Sequence, residues 1–454
     1  MLLAISALLL VTRPARAEPG CPVHERRLPN GLRAIVCADP AAPDVSLLVR
    51  YDAGARDEPT SLEGLAHLVE HVMFMGSKHV PRGRLAALYE QAGASHVNGV
   101  TSADATIFHV TLPPERLELG LWLESDRMGY LLDTLDEDVF RRARAEVINE
   151  HRGSVLDRPL GAVPHLLFAE LFPSWHPYHH LPIGSERSIQ RTISLADVRA
   201  FAETWYGPAN ATVVITGKAD PEAALRLVDR YFGALPARTP PARPPLPALA
   251  RRETTELEVV GGVTRAQVTF AWVTPAHGAP HDAALDVAAT ILTGRGAGRL
   301  HHTLMERSPR LAVEVSASQE SRAFASTFAV RATVADPRAM GPVVAEIRRA
   351  VGALAADPSE EEVRRARRIL RTSVLFSLES SLSWASRLAS AAARGPLPRR
   401  FDADLDRWTR VTAADVRAAA QASLAGKPGV TVIARPARGA PLIGRLIGTR
   451  EVAP

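Results

Sequence analysis

The sequence repeats itself at one constant offset, and this repeat constrains the fold more than any other feature. Residues 194–199 recur as 412–417, and residues 212–215 recur as 430–433. Separate segments that keep one offset indicate a duplicated unit rather than chance similarity. The chain is therefore predicted to consist of two homologous halves of the same fold, related by this repeat offset.

A proline-rich stretch lies between the two halves. Residues 235–247 contain six prolines, which can neither continue a helix nor join a central strand. With 454 residues the chain is also too long for one ordinary core. The predicted organisation is a signal peptide over residues 1–17, a first half over 18–235, a linker over 236–252 and a second half over 253–454.

Within each half the pattern mixes strands and helices. Residues 45–51 and 107–112 are predicted strands, whereas residues 63–75 and 136–151 are predicted helices. Strands follow strands as often as they follow helices, which is not typical of regular β-α-β winding. The prediction is an α+β fold in which each half has a mixed β-sheet covered by helices.

The N-terminus has the pattern of an export signal. An apolar run over residues 1–11 is followed by Arg13 and a small-residue sequence, which predicts a signal peptide cleaved after Ala17. The run is too short to cross a bilayer, which takes about 20 apolar residues, and nothing later in the sequence is long enough. We expect an exported protein, periplasmic or secreted, with no membrane span.

The net charge of +5 comes from an arginine-rich chain in which acidic residues are scattered among the arginines. The sequence has no dense basic run with interleaved aromatic residues. The charge therefore indicates solvated helix faces rather than a surface for nucleic acid, and no nucleic-acid partner is expected.

Two cysteines, Cys21 and Cys37, flank a predicted β-hairpin. The dipeptide Asn30-Gly31 between apolar runs is a strong signal for a two-residue turn. Strands that pair across this turn bring the two sulfurs near each other, and an exported compartment permits a disulfide. The register is offset from placing the cysteines directly opposite, so two unpaired thiols are the alternative.

The residues with the clearest chemistry are His67, Glu70 and His71, which form a His-x-x-Glu-His motif inside a predicted helix. Residues three and four apart share a helix face, so both imidazoles can point at one ion with Glu70 beside them. Catalytic zinc takes three protein ligands and keeps one position for water. A carboxylate next to that water can accept its proton. The order of the motif is inverted relative to the better-known zinc peptidase motif.

Six segments in and around this motif carry a resemblance to a known family; they lie at residues 54–58, 63–77, 97–102, 122–128, 176–178 and 183–184. These segments closely resemble the pitrilysin family of inverted-motif zinc peptidases, which includes insulin-degrading enzyme and mitochondrial processing peptidase. The similarity is greatest to short secreted bacterial members and extends over nearly the whole chain after the signal peptide.

This resemblance implies the remaining site residues. The third zinc ligand of the family is a glutamate on a helix well downstream of the second histidine, and Glu150 stands at the matching distance from His71. Glu146, one turn earlier, is the alternative ligand or a carboxylate that orients one. Asn98 matches a family edge strand that binds substrate. One Zn²⁺ per chain is expected.

The second half lacks the motif, because the repeat offset places Leu285, Ala288 and Ala289 on the three motif positions. In the family this half closes over the first like a clamshell and often supplies an arginine and a tyrosine near the zinc. The tyrosine position here is Val313. Arg307 or Arg310 could supply a guanidinium from within the chain.

The expected function is that of a zinc endopeptidase hydrolysing peptides or unfolded segments in an enclosed chamber. Because the second half lacks the donor pair, the partner is expected to be a homologous metal-free subunit in a heterodimer, or a second copy in a homodimer. The alternative is a non-catalytic binding or assembly subunit that retains the metal site. An intact Glu70 argues against that alternative, since a structural metal site needs no base.

The other histidines in pairs or triplets have no spacing that defines a site. We expect them to lie at the surface. They are His176, His179, His180, His301 and His302.

Overall fold

The structure is a computed structural model that describes residues 21–249, 253–261, 263–294, 296–397 and 399–436. The first of its two sheets has six strands in the order β1-β2-β6-β3-β5-β4. These strands are β1 (Val23–Arg27), β2 (Arg33–Ala38), β3 (Val45–Tyr51), β4 (Ser95–Thr101), β5 (Thr106–Leu112) and β6 (Ala211–Gly217).

The second sheet has five strands in the order β7-β11-β8-β10-β9. They are β7 (Thr255–Gly261), β8 (Gln267–Thr274), β9 (Ala312–Glu320), β10 (Ser326–Val334) and β11 (Val430–Pro436). This order reproduces β2-β6-β3-β5-β4 of the first sheet strand for strand. In each sheet the equivalent pair, β2 with β6 or β7 with β11, is parallel and the other pairs are antiparallel. The predicted two-half α+β fold with mixed sheets is confirmed.

Helices cover both sheets. Those of the first half are α1 (Leu65–Val72), α2 (Leu85–Gln91), α3 (Leu117–Tyr130), α4 (Glu137–His151), α5 (Val163–Leu171), α6 (Leu195–Trp205) and α7 (Pro221–Phe232). Those of the second half are α8 (Asp282–Thr293), α9 (Met340–Ala356), α10 (Glu360–Ser377), α11 (Ser381–Ala392), α12 (Arg399–Asp406) and α13 (Ala413–Ser423).

The helix predictions agree in position and differ in length. Helix α4 starts where expected because Asp136 caps it, accepting from the backbone N–H groups of Asp138 and Val139 at 3.1 and 3.0 Å. Helix α1 is shorter than the predicted 63–75. Its start is fixed by Gly64, whose φ of 95° lies in the left-handed region that only glycine adopts readily.

Each half has its own buried core. In the first, residues such as Leu47, Val49 and Phe108 project from one face of the sheet onto α1, α3, α4, α6 and α7. In the second, residues such as Phe328 and Val330 pack onto α8, α9 and α13 in the same manner. Alternation along each strand sends the remaining side chains to the opposite face.

That opposite face is covered in each sheet by a helix from the other half. Helix α11 lies on β3 and β6, where Ala385 and Leu388 meet Leu48 and Val214 in one buried cluster. Helix α5 lies on β8 and β11 in the same way. The repeat offset carries α5 onto α11, so the two halves exchange equivalent helices. This exchange of helices was not predicted from the sequence repeat.

The hairpin between β1 and β2 has a longer loop than predicted. The backbone N–H of Leu28 donates to the carbonyl of Leu32 at 2.8 Å, so three residues rather than two form the turn. Gly31 takes the left-handed conformation, with φ of 92°. The structure brings Cys21 and Cys37 together with 5.3 Å between their Cα atoms, a spacing that a disulfide spans. The bridge stays a prediction.

The segment between the halves contains no helix or strand over residues 236–249, and the rest of the predicted linker lies largely outside the described residues. Arg243 of this segment donates to the carboxylate of Asp57 at 2.6 Å, which fastens the segment to the first half. The predicted signal peptide also lies outside the described residues, so the boundaries stay predictions. Among the described helices, none is long and apolar enough to cross a membrane.

Candidate metal centre

Helix α1 carries the motif residues on one side. His67 and His71 are one turn apart with ring centroids 4.8 Å from each other. The helix is buried against the first core through Leu65, Leu68 and Val69, which leaves the histidine side facing α4. The sequence therefore folds so that apolar residues fix the rotation of α1 and the imidazoles face the neighbouring helix.

Helix α4 brings Glu150 to both imidazoles. The Oε2 atom of Glu150 lies 3.3 Å from Nε2 of His71 and 3.6 Å from Nε2 of His67. Val139, Phe140 and Val147 are buried on the core side of α4 and hold it against α1. The three predicted metal ligands thus converge on one point from two helices.

The donor set and its spacing fit zinc. A tetrahedral zinc ion with bonds of about 2.0–2.1 Å keeps its ligand atoms about 3.3–3.5 Å apart. One ligand atom from each of His67, His71 and Glu150 lies within 4.8 Å of the others, and two of the three separations are close to the tetrahedral value. Two imidazoles and one carboxylate also leave a fourth position for water, as in catalytic zinc sites.

Glu146 contacts the other nitrogen of the same imidazole. Its Oε2 atom lies 3.5 Å from Nδ1 of His71, whereas Glu150 contacts Nε2 of that ring. A carboxylate at Nδ1 fixes the ring orientation and the tautomer that leaves Nε2 available for metal. Of the two roles predicted for Glu146, this geometry favours the orienting one.

Glu70 is buried beside the edge strand β4, with 7% of its surface exposed. The hydroxyl of Thr101 donates to its Oε2 atom at 2.6 Å. A Cβ atom on Gly99 would lie 2.8 Å from its Oε1 atom and 2.8 Å from the ring of Phe74, so a larger residue there would displace one of these groups. Sequence reasoning missed Thr101, although its place in the family-like segment 97–102 was a signal.

Burial and neighbouring charges shift the pKa values of the site residues in different directions. Burial raises the pKa of Glu70, which the hydrogen bond from Thr101 partly offsets. Burial, aided by the charge of His71, lowers the pKa of His67 to about 4. Burial alone would lower the pKa of His71. The contacts of His71 with Glu150, Glu70 and Glu146 have a larger effect than burial, and they raise this pKa. The hydrogen bond with His71 lowers the pKa of Glu150. Neutral His67 and ionised Glu150 are the forms that bind metal.

A buried ion pair lies on helix α3 near the same strands. Arg127 pairs with Glu124, which also accepts from the hydroxyl of Tyr89 at 2.7 Å. The guanidinium of Arg127 lies 4.0 Å from the ring centre of Phe108 on β5. Such a pair needs these contacts, since two charges are taken out of water together. Sequence reasoning missed it, although two opposite charges three residues apart were a signal.

The remaining predicted residues lie in different surroundings. Asn98 is exposed on β4 and faces His109 of β5. Val313 lies on β9, the counterpart of β4. The prediction of surface histidines is wrong for His176, which is 3% exposed. The three residues at the motif positions of the second half are buried in α8, the counterpart of α1, and offer no side-chain ligand atoms; they are Leu285, Ala288 and Ala289.

His176 is buried because its ring stacks on Phe172 with 4.8 Å between the ring centres, and its Nδ1 atom accepts the backbone N–H of Tyr178. His179 and His180 are half-buried in the same loop. His301 is also half-buried, whereas His302 is exposed as predicted. The surface prediction failed where a histidine ring packs as an aromatic residue.

The fold thus has two repeated α+β halves, and the first half brings two histidines and one glutamate to one point where they could hold a metal ion. Residues 33–158 match the family model described as Insulinase (Peptidase family M16). Residues 192–370 match the model described as Peptidase M16 inactive domain. The chain belongs to peptidase family M16, as its resemblance to the pitrilysin family implied.

Similar proteins carry zinc protease names. The zinc protease PqqE of Helicobacter pylori is 31% identical over 238 residues, covering 52% of this chain and 52% of that protein. The uncharacterized zinc protease ML0855 of Mycobacterium leprae is 26% identical over 430 residues, covering 92% of this chain and 93% of that protein. The chain thus aligns with about half the length of the first relative and nearly all of the second.

Solved structures share the fold. A protease from Helicobacter pylori superposes with a TM-score of 0.82 at 22% identity, covering 92% of this chain and 100% of that one. The periplasmic protease PqqL from Escherichia coli gives a TM-score of 0.75 at 20% identity, covering 92% of this chain and 48% of that one. At such identities the likeness concerns the fold alone.

Proposed function

We propose that this protein is a zinc-dependent endopeptidase with His67, His71 and Glu150 as metal ligands and Glu70 as general base. The observation that carries the proposal is the convergence of the three ligand atoms, with a buried carboxylate on the same helix turn. A structural metal site has no use for a buried carboxylate that is not a ligand. The zinc protease names of two relatives support the same assignment.

Each residue has a separate task in hydrolysis. Bound zinc would act as a Lewis acid that lowers the pKa of a water molecule and polarises the scissile carbonyl. Glu70 accepts the proton of the attacking water and passes it to the leaving amine. Thr101 holds the Glu70 carboxylate in one orientation through its 2.6 Å hydrogen bond. Glu146 holds the ring of His71.

The substrate is proposed to be an extended peptide that pairs with the edge of β4. This strand is the last of its sheet, and Val97, Asn98 and Val100 on it are exposed. A free strand edge offers backbone N–H and C=O groups to a peptide, and alternate side chains select its sequence. Asn98 is positioned to contact such a peptide.

The second half is proposed to enclose this strand. Asp104, in the turn after β4, accepts from the hydroxyl of Tyr178 at 2.5 Å and from the backbone N–H of Ala323 at 2.9 Å. The Tyr178 hydroxyl in turn accepts from the backbone N–H of Phe324 at 3.2 Å. Because the second half is hydrogen-bonded next to β4, it limits the space at this strand. Peptides and unfolded segments therefore fit the site better than folded proteins.

Export to the periplasm or the medium is part of the proposal. The predicted signal peptide supports export. The spacing of Cys21 and Cys37 also supports it, because it permits a disulfide, and disulfides persist in oxidising compartments. The structurally similar protein PqqL from Escherichia coli is a periplasmic protease.

The experiment that tests the function measures bound zinc and peptide cleavage on the purified chain. We expect about one zinc per chain and cleavage of an unfolded peptide that stops with a chelator and returns with zinc. Two equivalents of zinc, or cleavage indifferent to metal, would contradict the assignment. Zinc without cleavage in every assay would favour the non-catalytic subunit instead.

The same assay tests for a partner. Val313 stands where the resemblance places a tyrosine of the family and offers no phenol, and loss of one such donor typically costs about 10²–10³-fold in turnover. Adding a co-expressed metal-free relative should therefore raise cleavage by a similar factor. Full turnover by the chain alone, unchanged by the relative, would show that Arg307 or Arg310 of this chain, or a second copy of it, completes the site.

The Thr101 hydrogen bond predicts a shift in pH dependence. Thr101→Val removes a donor that lowers the pKa of Glu70, so that pKa rises and a higher pH is needed to ionise the base. The acid limb of the kcat/KM profile should move upward, on the order of one pH unit. Thr204→Val is the matched control, because Thr204 is exposed on α6 and bonds to its own helix. A limb that stays in place would contradict the proposed effect of Thr101 on the pKa of Glu70.

A further inference from the structure

The start of helix α1 depends on a residue outside the helix. Gly64 occupies the N-cap position and has no side chain to accept from the first backbone N–H groups. Glu58, which precedes the helix, takes over this task. Its Oε2 atom accepts from the N–H of Gly64 at 2.9 Å, and its Oε1 atom accepts from the N–H of Ala66 at 2.8 Å.

The Glu58 side chain is fully enclosed. None of its side-chain surface is exposed, and Nε2 of His180 lies 3.6 Å from its Oε2 atom. The loop that carries His180 also packs closely against the start of α1. A Cβ atom on Gly184 of this loop would lie 2.6 Å from the Cα of Gly64. Glu58 thus has little room to move, and it holds the backbone N–H groups of Gly64 and Ala66 in fixed positions.

The position of these contacts matters for the metal ligands. Ala66 immediately precedes His67, and His71 follows one turn later on the same short helix. A helix of this length gains little stability from its own hydrogen bonds, so its first turn is fixed mainly by outside contacts. Whatever sets the first turn also sets the direction in which both imidazoles leave the backbone.

We propose that Glu58 is a positioning residue for the metal centre, fixing the first turn of α1 so that His67 and His71 meet Glu150. The loop that contains His180 and Gly184 completes this support. The inference rests on the proposed function for its catalytic consequence, but its structural part concerns α1 alone. The same loop includes the family-like segments at 176–178 and 183–184, which the proposed mechanism uses only through Tyr178.

The test compares Glu58→Gln with the unchanged chain. Glutamine keeps the size of the side chain but has one acceptor oxygen for two N–H donors. We expect the zinc dissociation constant of the folded protein to rise at least about 10-fold, as when a residue supporting metal ligands is lost. Amide hydrogen exchange at Gly64 and Ala66 should accelerate, and kcat should fall more than KM rises.

Thr412→Ala is the control for loss of a helix cap as such. Thr412 caps α13 in the second half, where its hydroxyl accepts from the N–H of Asp415 at 3.2 Å. This variant should lower Tm without changing zinc affinity. Should Glu58→Gln fail to fold, Glu58→Asp carries the same test, because the shorter side chain reaches one N–H group at most.

The outcomes separate the two proposals. A chain that binds no zinc and cleaves nothing contradicts the proposed function, while amide exchange at α1 still reports on Glu58. A chain that binds zinc and cleaves peptide, with Glu58→Gln equal to it in zinc affinity and amide exchange, overturns the positioning role. Equal zinc loss in Thr412→Ala would also overturn it, since the effect would then follow global stability.

Discussion

Glu70→Gln is expected to abolish most peptide hydrolysis while leaving zinc bound. Glutamine has the shape of glutamate but cannot take a proton from water, and a lost general base typically costs about 10²–10⁴-fold in rate. Zinc should stay because Glu70 is not among the three converging ligands. Thr101 can still hydrogen-bond to the amide oxygen, so the local structure should also persist.

The measurement pairs zinc content with single-turnover cleavage of an unfolded peptide. Glu203→Gln is the matched control, since Glu203 is exposed on α6 and the same chemical change is made away from the site. Cleavage by Glu70→Gln at the unchanged rate would remove Glu70 from the mechanism. Loss of zinc from this variant would instead make Glu70 a ligand and require a new base.

Glu150→Gln is expected to cause the largest loss of zinc among single carboxylate changes. Its oxygen lies within 3.6 Å of both imidazole nitrogens, and an uncharged amide is a much poorer ligand for a divalent ion. Glu146→Gln should have a smaller effect, about 10-fold in affinity, because Glu146 contacts only the far nitrogen of His71.

The two variants form a matched pair, since both residues are exposed glutamates on α4 and one helical turn apart. Zinc affinity measured by competition with a chelator distinguishes them directly. If Glu146→Gln loses more zinc than Glu150→Gln, the assignments of ligand and orienting residue must be exchanged.

Much of the fold followed from local and repeated patterns. The strand at 45–51 and the helix beginning after Asp136 depend on side-chain alternation and on a cap, both of which are local in sequence. The internal repeat predicted that two sheets would share one topology, and they do. The spacing within the motif helix likewise predicted that His67 and His71 would share a face.

What the sequence did not predict depends on contacts between distant segments. Two such contacts are the burial of His176 against Phe172 and the cap that Glu58 provides from outside α1. Neither contact produces a periodic pattern of residue types in the sequence. The same holds for the contact of Thr101 with Glu70, which joins a strand to a helix that lies well before it in the chain. Side-chain partners of this kind follow from tertiary packing, which overrides local preference.

The reciprocal placement of α5 and α11 has a consequence for the origin and cohesion of the molecule. Because equivalent helices cross to opposite sheets, the two halves are related as two copies of a smaller protein that have swapped one element. Fusion of such a dimer through the segment at 236–249 would preserve the swap inside one chain. Neither half is then a self-sufficient domain, since each alone would leave one face of its sheet bare to water. The two halves are therefore held together by the buried contacts of the exchanged helices as well as by the covalent connection between them.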